Sequence, residues 1–265
     1  MNSDRKCPLQ ISGLDKPVEL WVHGDGDLHV SKAIADTGIW EAFETQLILE
    51  RLNAGDCFID VGANLGYYTV LAANKVGPQG YVGAFEPEPN NFRLLLKNIS
   101  ANGVDFVDAV NAGLADKHSA GQLFLNKTNF GDHQIYDAGE QRDCCDIQLL
   151  NGSDYLQGKA KTVDLLKIDT QGAESKVIAG LLPILSQSGQ GLSIIIEFWP
   201  YGLRKSGSSA HRLLDMLMTL HLPIHIIDHI AHQLVPCTEQ QLREWVDMVD
   251  AIPEDQGFMN ILLGA

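Results

Sequence analysis

The sequence predicts an α/β fold: a doubly wound, mostly parallel sheet with helices on both faces, plus a small β insertion and an N-terminal hairpin/helix extension. Three observations predict it. From residue 57 onward, short apolar runs of strand length alternate with segments of helical periodicity. Such unbroken apolar runs mark strands covered on both faces. The first run opens through Gly62 and Gly66 into a helix, as strand–turn–helix units do. The rhythm breaks once, over residues 119–161.

Element by element, residues 18–22 and 28–30 flank His23, Gly24, Asp25, Gly26 and Asp27, which reads as a hairpin with a Gly/Asp turn. A helix over 39–52 puts Trp40, Phe43 and Leu47 on one face, and Asn53, Ala54 and Gly55 stop it. Then follow a strand at 57–61, a helix at 67–75 and a strand at 81–85 ending at Glu86 and Pro87. The next helix starts near Pro89, with Phe92, Leu95, Leu96 and Ile99 at helical spacing, and a third strand covers 106–110. Later come a strand at 163–168 ending at Asp169, a helix from Gly172, and a strand at 192–198 with three consecutive isoleucines. A helix at 210–220 and strands at 223–228 and 258–263 complete the pattern. Inside the irregular stretch, 123–125 and 146–150 are expected to pair as an added hairpin around a long polar loop. The expected division is an extension over 1–38 and a main domain over 39–265, with the insertion at 119–161.

Composition narrows the function. The formal charge of −15 opposes binding to nucleic acid, a polyanion that needs a basic surface, and no Lys/Arg cluster supplies one locally. The same charge disfavours anionic membranes. No apolar run approaches the ~20 residues that span a bilayer, and residues 1–10 are too polar for a secretory signal. A cytoplasmic protein with a small or neutral acceptor is expected. The five cysteines are odd in number and form no Cys-x-x-Cys pair, so neither a disulfide framework nor a zinc knuckle is indicated.

The turn after the first buried strand reads Asp60, Val61, Gly62, Ala63, Asn64, Leu65, Gly66, with Tyr67 opening the helix. Ligands bind beyond the carboxyl ends of strands in such sheets, and a helix N-terminus favours an anion. A dinucleotide loop needs Gly-x-Gly-x-x-Gly; here Asn64 replaces the middle glycine and the spacing differs. S-adenosylmethionine carries an ammonium, a sulfonium and a carboxylate. Asp60 answers the cation and the helix N-terminus the carboxylate. Glu86, 24 residues after Gly62, is placed to accept ribose hydroxyls and serves any adenosine-containing ligand. A nicotinamide-dependent oxidoreductase and a non-catalytic adenosine-binding module stay open as alternatives.

Four segments, 58–69, 84–89, 163–174 and 196–200, resemble in content, order and spacing the FkbM family of methyltransferases, over about residues 40–263. The resemblance implies a class I methyltransferase fold and methyl transfer from S-adenosyl-L-methionine to an oxygen of a sugar or natural-product hydroxyl. It carries Asp60, Gly62, Asn64, Gly66 and Glu86 over as cofactor contacts, with Ala63, Tyr67 and Pro87 beside them. Ala115 and Asp116 are placed where similar enzymes hold the adenine. The family often has an acid where this chain has Gln171.

Methyl transfer to a hydroxyl requires alignment and somewhere for the proton to go. Candidate catalytic groups are Asp169 and Glu197 at strand ends, Glu174 in the first turn of a helix, and His133 in the long loop. Asp132 is a candidate to orient His133 or to bind a metal, and Asn129, Asp132 and Gln171 to contact the acceptor. Asp169 and Glu174 also suit helix capping. His221, His225, His229 and His232 have helical spacing, but Pro223 starts a strand there, so they diverge. A divalent metal is compatible with the chemistry but not indicated.

Overall fold

The computed structural model describes residues 4–14, 16–137, 139 and 141–264. The ends of the expected division, 1–3 and 265, and residues 15, 138 and 140 lie outside the described residues. The elements in chain order begin with β1 (Arg5–Pro8), β2 (Glu19–Val22), α1 (Val30–Thr37), α2 (Ala42–Arg51), β3 (Cys57–Val61), α3 (Tyr67–Val76), β4 (Tyr81–Phe85), α4 (Pro89–Ala101) and β5 (Asp108–Val110). The irregular stretch holds β6 (Gly113–Ala115), β7 (Ser119–Leu125), β8 (Asp143–Asn151) and α5 (Gly152–Leu156). The second half has β9 (Leu165–Ile168), α6 (Glu174–Ser188), β10 (Ser193–Phe198), α7 (Pro200–Lys205), α8 (Ala210–Met218), β11 (Ile224–Asp228), β12 (Gln233–Cys237), α9 (Glu239–Asp250) and β13 (Met259–Leu263).

The central sheet has eight strands in the order β12-β11-β13-β10-β9-β3-β4-β5. Strands β10, β9, β3, β4 and β5 are parallel, while β13 runs antiparallel between β10 and β11. The order reverses beside β3, which creates the crevice where ligands enter such sheets. This is the doubly wound architecture that the alternation predicts, and it agrees with the class I methyltransferase-like fold that the resemblance implies.

Strict alternation distributes the side chains. On β9, Leu165 faces a core shared with α2, α3 and α4, whereas Leu166 and Ile168 face a second core under α6, α8 and α9. Lys167 stands on the first face, level with Asp60 of β3 and Ile195 of β10. At the carboxyl ends the first core therefore gives way to a polar layer, and the site is built from it.

The structure corrects the N-terminal reading. β2 pairs with β1, not with residues 28–30. The reason lies in Asp27, whose carboxylate accepts the N–H groups of His29 (3.2 Å) and Ser31 (2.7 Å) and so starts α1 instead of closing a hairpin. The helix expected over 39–52 begins later, at Ala42, because Gly38 and Glu41 both take left-handed backbone between α1 and α2. Cys7, Leu20, Val22 and Ile34 enter the same core as α3 and α4. The insertion hairpin is longer than its apolar signal, pairing β7 with β8 from Ser119↔Leu149 to Leu125↔Asp143. Among the described residues no helix is long and apolar enough to cross a membrane.

Candidate active site

A cavity of about 650 Å³ opens along the carboxyl edge of the sheet. Its wall crosses the strands in spatial order, from Glu86 after β4 through Asp60 on β3 and Asp169 after β9 to Glu197 on β10. Ala63, Asn64, Tyr67, Pro87, Ala115, Asn129, Asp132, His133 and Gln171 also line it. Three sequence candidates do not. Asp116 is exposed, and its carbonyl accepts from Asn151 (2.9 Å). Gly66 serves packing: at φ +89, a Cβ there would sit 2.6 Å from Leu95 Cδ1. Glu174 is fully buried and accepts Thr170 N, Thr170 Oγ1 and Gly172 N on one oxygen at 3.0–3.1 Å, so its carboxylate closes the turn into α6.

At the β3–β4 end, main chain fixes the geometry. Asn64 holds φ +51, where Asn is better tolerated than most side chains. Its N–H donates to Glu86 Oε2 (2.7 Å), and Glu88 N–H donates to Glu86 Oε1 (2.8 Å). Burial nevertheless pushes the Glu86 carboxyl up to about 8, against the pull of those two amides. Asp60 is buried too and accepts Thr69 Oγ1 at 2.5 Å; burial raises its carboxyl to about 6 although that bond opposes the shift. Gly62 is required by contact between strand ends: at φ +84, a Cβ would lie 1.9 Å from the Asp169 carbonyl oxygen. One expectation changes here. The loop amides are not free, because Gly62 and Ala63 donate to Phe85 O, Leu65 to Asn64 Oδ1 and Gly66 to Ala63 O. What remains for an anion is the polarised start of α3.

At the β9–β10 end, side chains from distant segments fix one another. Lys167 is 1% exposed, with Nζ 3.1 Å from Glu44 Oε1 and 3.5 Å from Asp169 Oδ2. The Glu44 contact is an ion pair, not an aligned hydrogen bond. Burial opposes the ammonium, but Glu44, Asp169 and Glu41 outweigh it and hold Lys167 well above its ordinary value. Gln171, at φ +53, donates Nε2 to both Asp169 Oδ1 (2.7 Å) and Glu197 Oε2 (2.9 Å). Burial, with Asp169 and Glu174 nearby, drives the Glu197 carboxyl well above the usual range. Asn260 on β13 donates to Glu44 Oε2 (2.8 Å), and Tyr68 donates to Glu41 Oε2 (2.7 Å). The carboxylates of Glu41 and Glu44 and the His229 imidazole lie within 4.8 Å of one another, beside the Lys167 charge.

The insertion loop covers the cavity from the other side. It is tied to the N-terminal segment by Leu28 N–H to Thr128 O and Phe130 N–H to Asp27, and to α4 by Asn91 Nδ2 to Phe130 O. His133 lines the cavity, but its Nδ1 accepts Asn126 N–H (3.0 Å), and burial lowers the imidazole to about 4. A neutral ring bonded this way carries its proton on Nε2 and presents a donor, not a base. Asp132 does not orient it, because Asn126, Gln134 and Arg142 take its carboxylate. Asn129 folds its Oδ1 back onto Gly131 N–H. Of the four histidines at helical spacing, none lines the cavity.

The sequence reading missed Glu41, Tyr68, Thr69, Glu44 and Lys167. Lys167 did leave a signal, since a lone lysine between Leu166 and Ile168 in a buried strand must find counter-charges. Glu44 and Glu41 left none, because an acid on an amphipathic helix ordinarily marks its wet face.

Comparison with known proteins places this geometry. The chain is 30% identical over 147 residues to Methyltransferase 1 of Beauveria bassiana (strain ARSEF 2860), covering 48% of this chain and 59% of that protein. It thus spans somewhat over half the length of that curated relative. It is 26% identical over 208 residues to Methyltransferase sdnD of Sordaria araneosa, covering 61% and 78% respectively. A solved methyltransferase FkbM from Methylobacillus flagellatus KT superposes with a TM-score of 0.42 at 13% identity over 80% of this chain and 44% of that one; the fold assignment rests on the strand order. Residues 60–221, from the Asp60 loop to the end of α8 and beyond, match the methyltransferase FkbM domain, and the chain belongs to that methyltransferase family.

Proposed function

We propose that the protein transfers a methyl group from S-adenosyl-L-methionine to a hydroxyl of a small molecule or sugar. The observation that carries this reading is the pair of buried carboxylates, Asp60 and Glu86, at the ends of adjacent strands in one cavity. Their chemistry fits the ligand: Asp60 answers the ammonium, and Glu86 accepts from ribose hydroxyls. The cavity volume falls in the ordinary range of about 300–1,000 Å³ for small-ligand sites. Asn64 and Ala63 would border the methionine part, with Pro87 and Ala115 toward the base. When bound, the sulfonium supplies an electrophilic methyl group.

The protein's part is to hold the acceptor in line and accept its proton. Asp169, Gln171 and Glu197 offer polar contacts to the acceptor, and Trp199, Tyr201 and the 62%-exposed Phe258 supply an aromatic rim. That rim suits a ring-bearing acceptor, and the acidic lining disfavours an anionic one.

Calorimetry with S-adenosylmethionine and its demethylated product, beside NAD, tests the reading. Binding of the first two that is abolished by Asp60→Asn and weakened at least about tenfold by Glu86→Gln is expected, a loss of ~1.4 kcal/mol or more. A screen of hydroxylated acceptors with labelled donor, with and without chelator, should give an alkali-stable methyl ether. NAD binding without S-adenosylmethionine binding, or label on nitrogen, would overturn it.

A further inference from the structure

We infer that Glu41 is the general base of this site, taking the proton from the acceptor hydroxyl as the methyl carbon bonds to that oxygen. The inference rests on the O-methyl-transfer reading above. Glu41 lies outside the family-matched stretch, so the geometry alone assigns it.

The first argument is placement. Glu41 lines the cavity with Asp60 and Asp169. The first two residues of α3, the helix that opens from the Asp60 loop, hold it there. Tyr67 Oη accepts Trp40 N–H (3.1 Å) and bonds Thr45 Oγ1 (3.1 Å), fixing the backbone on both sides of Glu41. Tyr68 Oη donates to the Glu41 carboxylate itself. Glu41 keeps a left-handed backbone, φ +41, that non-glycine residues avoid, and such strain persists where surrounding structure imposes it, often at functional sites.

The second argument is elimination. Asp60 is bonded to Thr69 and, on the proposed reading, committed to the donor's ammonium; Glu86 is bonded to two amides and Asp132 to Arg142. Asp169 is paired with Lys167 and bonded to Gln171. His133 presents a donor. Glu197 accepts Gln171 Nε2, and burial with Asp169 beside it drives its carboxyl well above the usual range. The Glu41 side chain accepts a single hydrogen bond among the described residues, from Tyr68 on Oε2, which leaves Oε1 for a hydroxyl.

The groups facing Glu41 are Glu44 from α2, Tyr67 and Tyr68 from α3, Lys167 and Asp169 from β9 and its end, and His229 after β11. Burial and Glu44 push its carboxyl up, Lys167 and Tyr68 restrain it, and it settles at about 8. A base works best in that range. The step balances. An oxygen lone pair forms the C–O bond, the S–CH₃ bond breaks with its electrons kept by sulfur, and the O–H proton neutralises the Glu41 carboxylate as the sulfonium charge disappears.

The test uses the full chain with S-adenosylmethionine and an acceptor found by the screen. Glu41→Gln should cut kcat/KM at least about 100-fold and erase a rising limb near pH 8, with donor affinity by calorimetry within about threefold of the parent. Infrared difference spectra of the protein without ligand, pH 9.5 minus pH 7, should show loss of a carboxylic-acid band of which one part is missing in Glu41→Gln and a separate part in Glu86→Gln. Tyr68→Phe, which removes the restraining donor, should move both the limb and the band to higher pH. A Glu41→Gln protein that keeps the limb and most of its turnover overturns the assignment while methyl transfer stands. Loss of the limb in Glu197→Gln but not Glu41→Gln also overturns it. A parent protein that binds no S-adenosylmethionine removes the underlying reading.

Discussion

The two ends of the cavity are built by different means. At the β3–β4 end, Asp60, Asn64 and Glu86 come from two neighbouring strand–turn–helix units, and main-chain amides hold the Glu86 carboxylate. At the β9–β10 end, Glu41, Glu44, Lys167, Asp169, Gln171, Glu197 and Asn260 come from stretches far apart in the chain, and side chains hold side chains. The first end follows from local backbone geometry, since the turns after β3 and β4 themselves bring the Asn64 and Glu88 amides to Glu86. The second depends on charge balance among residues far apart in sequence. It is therefore the end that one substitution can collapse.

Lys167→Met should break the comparison most severely. It removes the ammonium between Glu44 and Asp169 and leaves the buried Glu44 carboxylate, with the partly exposed Asp169 beside it, without a counter-charge. Breaking a buried pair from one side costs roughly 3–5 kcal/mol, which urea unfolding would read directly. Adding Glu44→Gln should recover part of that loss, because it removes one of the stranded charges. If the single variant lost under about 1 kcal/mol, a typical exposed-pair value, the charge-balance account of this end would be wrong.

The β3–β4 end should show itself in pH dependence. Glu86 and Asp60 hold their protons more tightly when folded, at about 8 and about 6, than the unfolded chain does at 4.5 and 3.8. Between those limits the folded state binds more protons, so stability falls as pH rises through the window of about 4 to 8. Glu41 adds to the same slope from the other end. The melting temperature of the protein without ligand should drop on the order of 5 °C between pH 6 and pH 8.5, by the usual few degrees per kcal/mol. Glu86→Gln should flatten the curve. A melting temperature that rises over this range would contradict the burial of these carboxylates.

The same contrast explains what the sequence made legible. Strands 57–61 and 81–85 and the Asp60–Gly66 turn read directly because local rules produce them: apolar runs, glycine and asparagine at positive φ, and an acid closing each strand. Asp169 and Glu197 were found because they end apolar strands. Their partners were not, since no local pattern shows that Lys167 meets Glu44 or that Asn260 meets both Glu44 and His229. His133 and Asp132 misled for the same reason. Adjacent in sequence, they do not bond each other: the Asn126 main-chain N–H donates to the His133 ring, while Asn126 Nδ2, Gln134 and Arg142 take the Asp132 carboxylate. At the N-terminus, Asp27 looked like a turn residue and instead starts a helix, because the choice depends on where its carboxylate finds N–H groups.

The smallest expected effect sharpens the comparison best. Gln171 joins Asp169 to Glu197 with one amide group, in a strained backbone position on the cavity wall where the acceptor is proposed to sit. Gln171→Leu removes two hydrogen bonds to acidic groups on the cavity wall, groups that stay partly accessible and can be rehydrated. The stability loss should therefore stay near 1 kcal/mol. Donor affinity should not change, because Asp60, Asn64 and Glu86 are untouched, while the acceptor KM should rise about tenfold, equivalent to ~1.4 kcal/mol. Gln171→Glu places a third carboxyl between two others and should hold that effect only at high pH, where the new group ionises and repels its neighbours. At low pH the new acid carries a proton, donates one bond in place of two, and should restore part of the acceptor binding. If either variant weakened the donor as much as the acceptor, the two ends would not be separable, and the division of the cavity into a donor end and an acceptor end would have to be abandoned.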